Sequence, residues 1–360
     1  MKIGIELELS KDQESHALAL HKEALVVDFH CDGVLATLPD SAYIIGDAEK
    51  RTLHERSDNG HVDIPRLIEG GVDCQVFSHF VEPIYNPVAP HRMLQVLGYS
   101  LGEIEKTDKL TLVKNYDEIV ANDGKGISFM IGFEGGEALM EDLRLLKVYH
   151  RIGLRRLTLT WNNRNMIADG VTWQRSKGGL TEFGADVVKE CNKLGVLVDV
   201  SHITDQGFRD TLEVSEEPVI ASHSNCRALC GHKRNLTDEM IKALVEKGGV
   251  IGVNYVPFFL TDIDFAKLRG GDEEERKKAG AVTVETVVDH IDHMVEVVGN
   301  ADHIGLGSDY DGVPMIAKGL DDASKLPNLT KALVARGYSD QEIKGILGGN
   351  FLRMIKKICR

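Results

Sequence analysis

The sequence predicts an α/β protein of the (β/α)8 TIM-barrel class, a single domain behind an N-terminal extension. Three observations predict it. Eight short apolar, β-prone runs alternate with helical segments. Two of the runs, Val196 to Val200 and Pro218 to Ala221, each end in a Ser-His pair and are separated by a stretch long enough for a helical crossover, which makes a βαβ unit. Most runs end in His, Asp or Glu, and parallel strands bring such ends to one edge, where barrels place their chemistry. A doubly wound open sheet shows the same alternation without explaining those ends. A chain of 360 residues allows two domains by length, but barrels of this class use it for one. Residues 1–22 read as the extension and 23–360 as the barrel.

In chain order, Ala24 to Phe29 is the first run, ending in His30-Cys31-Asp32-Gly33, and a long loop rich in Asp, Arg and His follows. The second, VDCQVFSHF, starts after Gly70-Gly71 and ends near His79. Residues 91–121 read as two helical runs, the second through Leu110 and Val113. Ile127 to Phe133 is the third strand and ends in Glu134; Arg156 to Thr160 is the fourth and ends in Trp161-Asn162. Thr181 caps a helix that Gly195 stops, leading into the Ser-His pair of strands, Ser201-His202 and Ser222-His223. Thr237 caps the next helix before the seventh strand, Val250 to Val256. The charge run at 271–278 reads as a solvated loop suited to a lid. Thr283 opens a helix with one apolar stripe, closed by Gly299. The eighth strand, His303 to Gly307, ends in Ser308-Asp309-Tyr310-Asp311.

The residues gathered at the carboxyl edge are His30, Asp32, Glu134, His202, His223 and Asp309. Three imidazoles and three carboxylates make two sites for hard-to-borderline cations, with one carboxylate able to bridge. In an extended HxD, His30 and Asp32 share a face while Cys31 points away. Two such ions polarise a carbonyl and hold a hydroxide near neutral pH, and Asp309 is placed to carry the proton to a leaving amine. That is amide hydrolysis. Arg234, after the sixth strand, suits a bidentate clamp on a substrate carboxylate. Tyr255, near the end of the seventh, is a candidate for the same pocket. The remaining histidines, His79 apart, read as solvated.

Acidic residues outnumber basic ones 56 to 42, a net charge of -14. That balance repels phosphate backbones and anionic lipid, so no nucleic-acid or membrane partner is expected. The first residues, MKIGIELELSKDQE, lack the apolar core of a signal peptide, and the expected compartment is the cytoplasm. Six cysteines without a CxxC pair read as thiols, Cys226 and Cys230 included.

The segments DFHCDG, GFEGG, GLTEFGADVVKECNKLGVLVDVSH, PVIASHSNCRAL with RNLTDE, HIGLGSDYDG and GGNFLR resemble the renal (membrane) dipeptidase family of the amidohydrolase superfamily, over about Val26 to Met354. The resemblance implies two zinc ions, with His30 and Asp32 on the first, Glu134 as bridge, and His202 and His223 on the second. It implies Arg234 for the substrate carboxylate, Asp309 for proton transfer, dipeptides as substrates, often with a D-residue second, and a homodimer. Mammalian members carry a substrate-contacting His after TLT where this chain has Trp161, whose indole accepts no hydrogen bond. His79 or Asn162 is the candidate substitute. The rivals are another binuclear amidohydrolase acting on a lactone, cyclic amide, β-lactam or phosphotriester, and a non-catalytic metal-containing barrel that binds a ligand. Glu134 as bridge together with Arg234 favours a peptide, and a free Asp309 favours catalysis.

Overall fold

The computed structural model describes residues 9–42 and 51–360; the first eight residues of the predicted extension and part of the first long loop lie outside these. Nine strands form one parallel sheet: β1 (Val26–Cys31), β2 (Val72–Phe80), β3 (Leu110–Leu112), β4 (Ile127–Glu134), β5 (Leu154–Thr158), β6 (Leu197–Asp199), β7 (Ile220–Ala221), β8 (Val250–Val253) and β9 (Ile304–Leu306). Eight of them close a ring. β1 pairs with both β2 and β9, β2 pairs with β4, and the rest follow in sequence from β4 to β9. The architecture is therefore a (β/α)8 TIM barrel. The ninth strand, β3, pairs with the first three residues of β4 outside the ring.

β3 corrects the expectation of a second helical run there. The helix Ala89–Glu105 ends, Leu110 to Leu112 pair with Ile127 to Phe129, and a new helix, Tyr116–Asn122, opens with Asn115 accepting from Glu118 N. Three residues are too few to show an alternation. The charge run at 271–278 is also not a loop. Asp272 accepts from the backbone N–H groups of Glu274 and Glu275 and starts the helix Glu273–Ala279, with its glutamates first and its basic residues last, the order the helix dipole favours.

Part of the predicted extension is a docked helix. Lys11–Glu23 is capped by Ser10 and buries Ala17, Leu20 and His21, with the His21 ring bonded to Thr330 Oγ1 and Gly70 O. At the barrel's amino end, Val27, Phe29, Val76, Met130, Leu197, Ile220 and Val250 from six strands pack on Phe351, Met354 and Ile355 of the last helix, Asn350–Ile358. Phe29 and Phe351 stack with centroids 3.7 Å apart. That end is sealed, so the opposite, carboxyl end is the open one.

Over the open end, the β1–β2 connection is tied down by Asp311. Its carboxylate accepts from His61 N at 2.6 Å, Val62 N at 3.2 Å and the Arg51 guanidinium, and none of these groups is exposed.

Candidate active site

Five strand ends deliver six side chains to one place. His30 is the fifth residue of β1 and Asp32 follows it; Asp32 N donates to Tyr310 O (2.8 Å) and Asp309 N to His30 O (3.1 Å), so the ends of β1 and β9 are stitched together. Glu134 closes β4, in register with Phe80 and Thr158. His202 and Asp309 both have left-handed backbones, φ +67° and +63°, in sharp turns after β6 and β9 that turn these side chains back over the barrel.

The result is a tight cluster. Glu134 Oε1 lies 2.9 Å from His202 Nε2 and 3.7 Å from His223 Nε2. His30 Nε2 lies 3.5 Å from Asp32 Oδ2, 3.8 Å from Glu134 Oε2 and 3.8 Å from Asp309 Oδ1. Ligand atoms of His30, Glu134 and His223 fall within 4.8 Å of one another, as do those of His30, Asp32 and Asp309. The groups are buried, and burial with mutual repulsion pushes Asp32 well above the usual carboxylate range; burial also raises Asp309 and pushes the imidazoles of His202 and His223 well down. Buried carboxylates and neutral imidazoles converging on one point are the donor set that divalent cations satisfy.

The supporting groups fix which imidazole nitrogen faces the cluster. His202 Nδ1 donates to Asn162 Oδ1 at 2.9 Å, which turns the Nε2 lone pair toward Glu134 Oε1 and His223 Nε2, each 2.9 Å away. Ser222 Oγ gives its own proton to Asp199 Oδ2 (2.6 Å), so it can only accept from His223 Nδ1 at 2.8 Å, and the His223 Nε2 lone pair likewise faces the cluster. Asp199 also meets Arg156, whose Nη1 is 3.1 Å from Asp199 Oδ2 and 3.0 Å from His30 Nδ1. This guanidinium crosses the barrel interior where Gly132 of β4 has no side chain; a Cβ there would stand 2.5 Å from Arg156 Nε.

The cluster forms the floor of a cavity of about 560 Å3 lined also by Trp161, Asn162, Arg234, His232, Phe258, Phe259, Phe265 and Arg269. Arg234 is buried, donating to His223 O (3.0 Å) while its Nε has no partner among the described residues. Trp161 packs edge-on against Phe80, centroids 5.0 Å apart.

Two candidates are not brought to the cavity. Successive strand residues face opposite ways, so in β2 Ser78 points inward to Arg156 and His30 while His79 points out. The His79 ring bonds Ser100 Oγ (2.7 Å) and the carbonyls of Phe77 and Gly132. Tyr255 is fully buried against Tyr310, its hydroxyl unpartnered among the described residues. Asn162 does line the cavity, but its oxygen is committed to His202.

Other expectations change too. His21, His61 and His290 are buried rather than solvated, and His232 lines the cavity. Cys226 and Cys230 are buried thiols directed at the carbonyls of His290 and Phe258. Arg156 and Asp199 lie hidden inside apolar runs. The available signal was a charge in each of two neighbouring buried strands, LRRLT and LVD.

Comparison with known proteins agrees with this geometry. Residues 14–360 match the family model described as membrane dipeptidase, peptidase family M19. A dipeptidase of Claviceps purpurea, tcpJ, is 30% identical over 363 residues, covering 97% of this chain and 77% of that protein. Dipeptidase 3 of Mus musculus is 32% identical over 348 residues, covering 95% and 66%. Among solved structures, a metallopeptidase of Rhodobacter sphaeroides, liganded with a phosphinate mimic of L-Ala-D-Ala, superposes with a TM-score of 0.80 at 27% identity, covering 93% of this chain and 99% of that one. No helix among the described residues is long and apolar enough to cross a membrane. The chain belongs to the membrane dipeptidase family, peptidase family M19, and is by that membership a metallo-dipeptidase.

Proposed function

We propose that the chain hydrolyses dipeptides, L,L or L,D, at a pair of zinc ions, one held by His30 and Asp32, the other by His202 and His223, with Glu134 shared. The observation that carries the reading is Arg234: a buried guanidinium whose Nε has no partner among the described residues, on the wall of the cavity whose floor is the cluster. A buried unpaired N–H calls for an acceptor, and the α-carboxylate of a short peptide supplies one. The ions, when bound, polarise the scissile carbonyl and acidify water. Asp309 takes the proton of the attacking water and passes it to the leaving amine; Asn254 Nδ2, 2.8 Å from its Oδ2, holds the carboxylate in place. We also propose the cytoplasm as its compartment, which six buried, unpaired cysteines support.

The test is release of amino acids from a panel of L,L and L,D dipeptides by zinc-loaded protein beside Asp309→Asn, with metal content measured on both. Cleavage with two zinc ions per chain, and a fall in kcat of about 10² to 10⁴ in the variant with its metal retained, is the expected result. Full metal content with no dipeptide cleaved sinks it and points to lactones and cyclic amides.

A further inference from the structure

The cavity has two electrostatic halves. Its floor carries Asp32, Glu134 and Asp309; the wall built by the segments after β7 and β8 carries His232, Lys233, Arg234, Phe258, Phe259, Phe265 and Arg269, and no carboxylate. The acids nearest this wall in sequence, Asp262 and Asp264, accept from Gly231 N and Lys267 N and line a separate surface hollow. Phe259, Phe258 and Phe265 make a continuous strip, with successive centroids 4.6 and 4.5 Å apart. A guanidinium stands at each end, Arg234 5.5 Å from the Phe259 ring and Arg269 5.9 Å from the Phe265 ring.

Arg234, at the inner end, is the group the dipeptidase reading gives to the α-carboxylate. That leaves Lys233 and Arg269. Both are exposed, and neither has an ion-pair partner among the described residues. A solitary exposed cation is ordinarily just solvated. Here two of them line the wall of the reaction cavity in a chain of net charge -14, on the side next to the carboxylate clamp and away from the metal-facing acids.

We propose that the C-terminal residue of the preferred dipeptide carries an acidic side chain, aspartyl or glutamyl, received by Lys233 and Arg269 while the phenylalanine strip packs its methylene groups. The inference rests on the dipeptidase reading and sharpens it. Charge complementarity beside Arg234 selects the second residue of the substrate, because Arg234 fixes the end of the peptide to which that residue belongs.

The test compares kcat/KM of the zinc-loaded enzyme for Ala-Glu, Ala-Gln and Ala-Lys, each with an L- and a D-residue second, in the native chain and in the double variant Lys233→Glu/Arg269→Glu. Glutamate and glutamine are nearly isosteric, so their ratio isolates the charge. The expected ratio is about tenfold in favour of Ala-Glu, the size two half-exposed ion pairs support, shrinking as sodium chloride is raised. In the double variant the order reverses toward Ala-Lys. Equal rates for Ala-Glu and Ala-Gln, or a preference that survives charge reversal, overturn this inference and leave the dipeptidase reading standing. Turnover of none of the peptides overturns both.

Discussion

Arg156 Nη1 stands 3.1 Å from Asp199 Oδ2 with both side chains sealed from solvent. Around this pair gather Ser78, Thr158, Ser222 and the Nδ1 of His30. It thus reaches a ligand from each proposed half of the metal centre, His30 directly and His223 through Ser222.

Removing one charge of that pair leaves the other buried and uncompensated. Asp199→Asn is expected to cost about 3–5 kcal/mol in urea unfolding. Replacing both, in Arg156→Met/Asp199→Leu, is expected to be milder than either single change. Zinc affinity should stay low in the double variant, because Ser222 no longer has an anchored acceptor and His223 loses its orientation. Recovery of both stability and zinc affinity in the double variant would make the pair a packing feature alone.

Asn162 supplies the acceptor for His202 Nδ1. In Asn162→Ala the metal affinity measured against a competing chelator should fall about ten- to hundredfold, as for other partners that orient a ligating imidazole. An unchanged affinity with a raised KM would return Asn162 to the substrate.

His79 governs part of the acid response. Burial first, opposed by the carbonyls of Phe77 and Gly132, lowers its pKa from 6.5 to about 4. Between those values the unfolded chain binds a proton that the folded chain refuses, so stability falls as pH drops from 6.5 toward 4 and this contribution levels off below. The loss amounts to about 3 kcal/mol at 1.36 kcal/mol per unit. His79→Gln should flatten that limb of the unfolding free energy measured against pH; a slope equal to the native one would exclude His79 as its source.

Gly312 faces the carboxylates of Asp32 and Asp309. A Cβ there would press on Asp309 Oδ1 and Asp32 Oδ2 inside van der Waals contact. Gly312→Ala should therefore lose at least about 10² in kcat, the contribution of a displaced proton carrier, while circular dichroism and the melting temperature stay near native. Native turnover would show that the loop carrying Gly312 shifts freely.

The sequence made legible the features that repeat along the chain. His30, Asp32, Glu134, His202, His223 and Asp309 could be seen to share one mouth because each follows an apolar run, and parallel strands expose the same end of every run. Which way a strand-end side chain points was not legible at His79. The answer depends on the parity of β2 relative to its neighbours, and it is Ser78, one residue earlier, that faces inward. Arg156 and Asp199 were hidden for a related reason: each reads as an interruption of a buried strand until β5 and β6 are placed side by side. The wall of Phe258, Phe259, Phe265 and Arg269 comes from irregular segments, where no periodicity marks which residues face a cavity.

The pairing of β1 with β9 also sets when this centre comes into being. Its donors span Glu134, His202 and His223 between His30 near the start and Asp309 near the end, and Asp309 N is bonded to His30 O only once those two strands meet. A nascent chain emerges amino end first, so until the segment around Asp309 has left the ribosome the emerging barrel lacks its closing strand. Among the strand pairings of the ring, closure across this separation carries the highest loop-entropy cost. The donor set is consequently incomplete until the segment carrying Asp309 has been made.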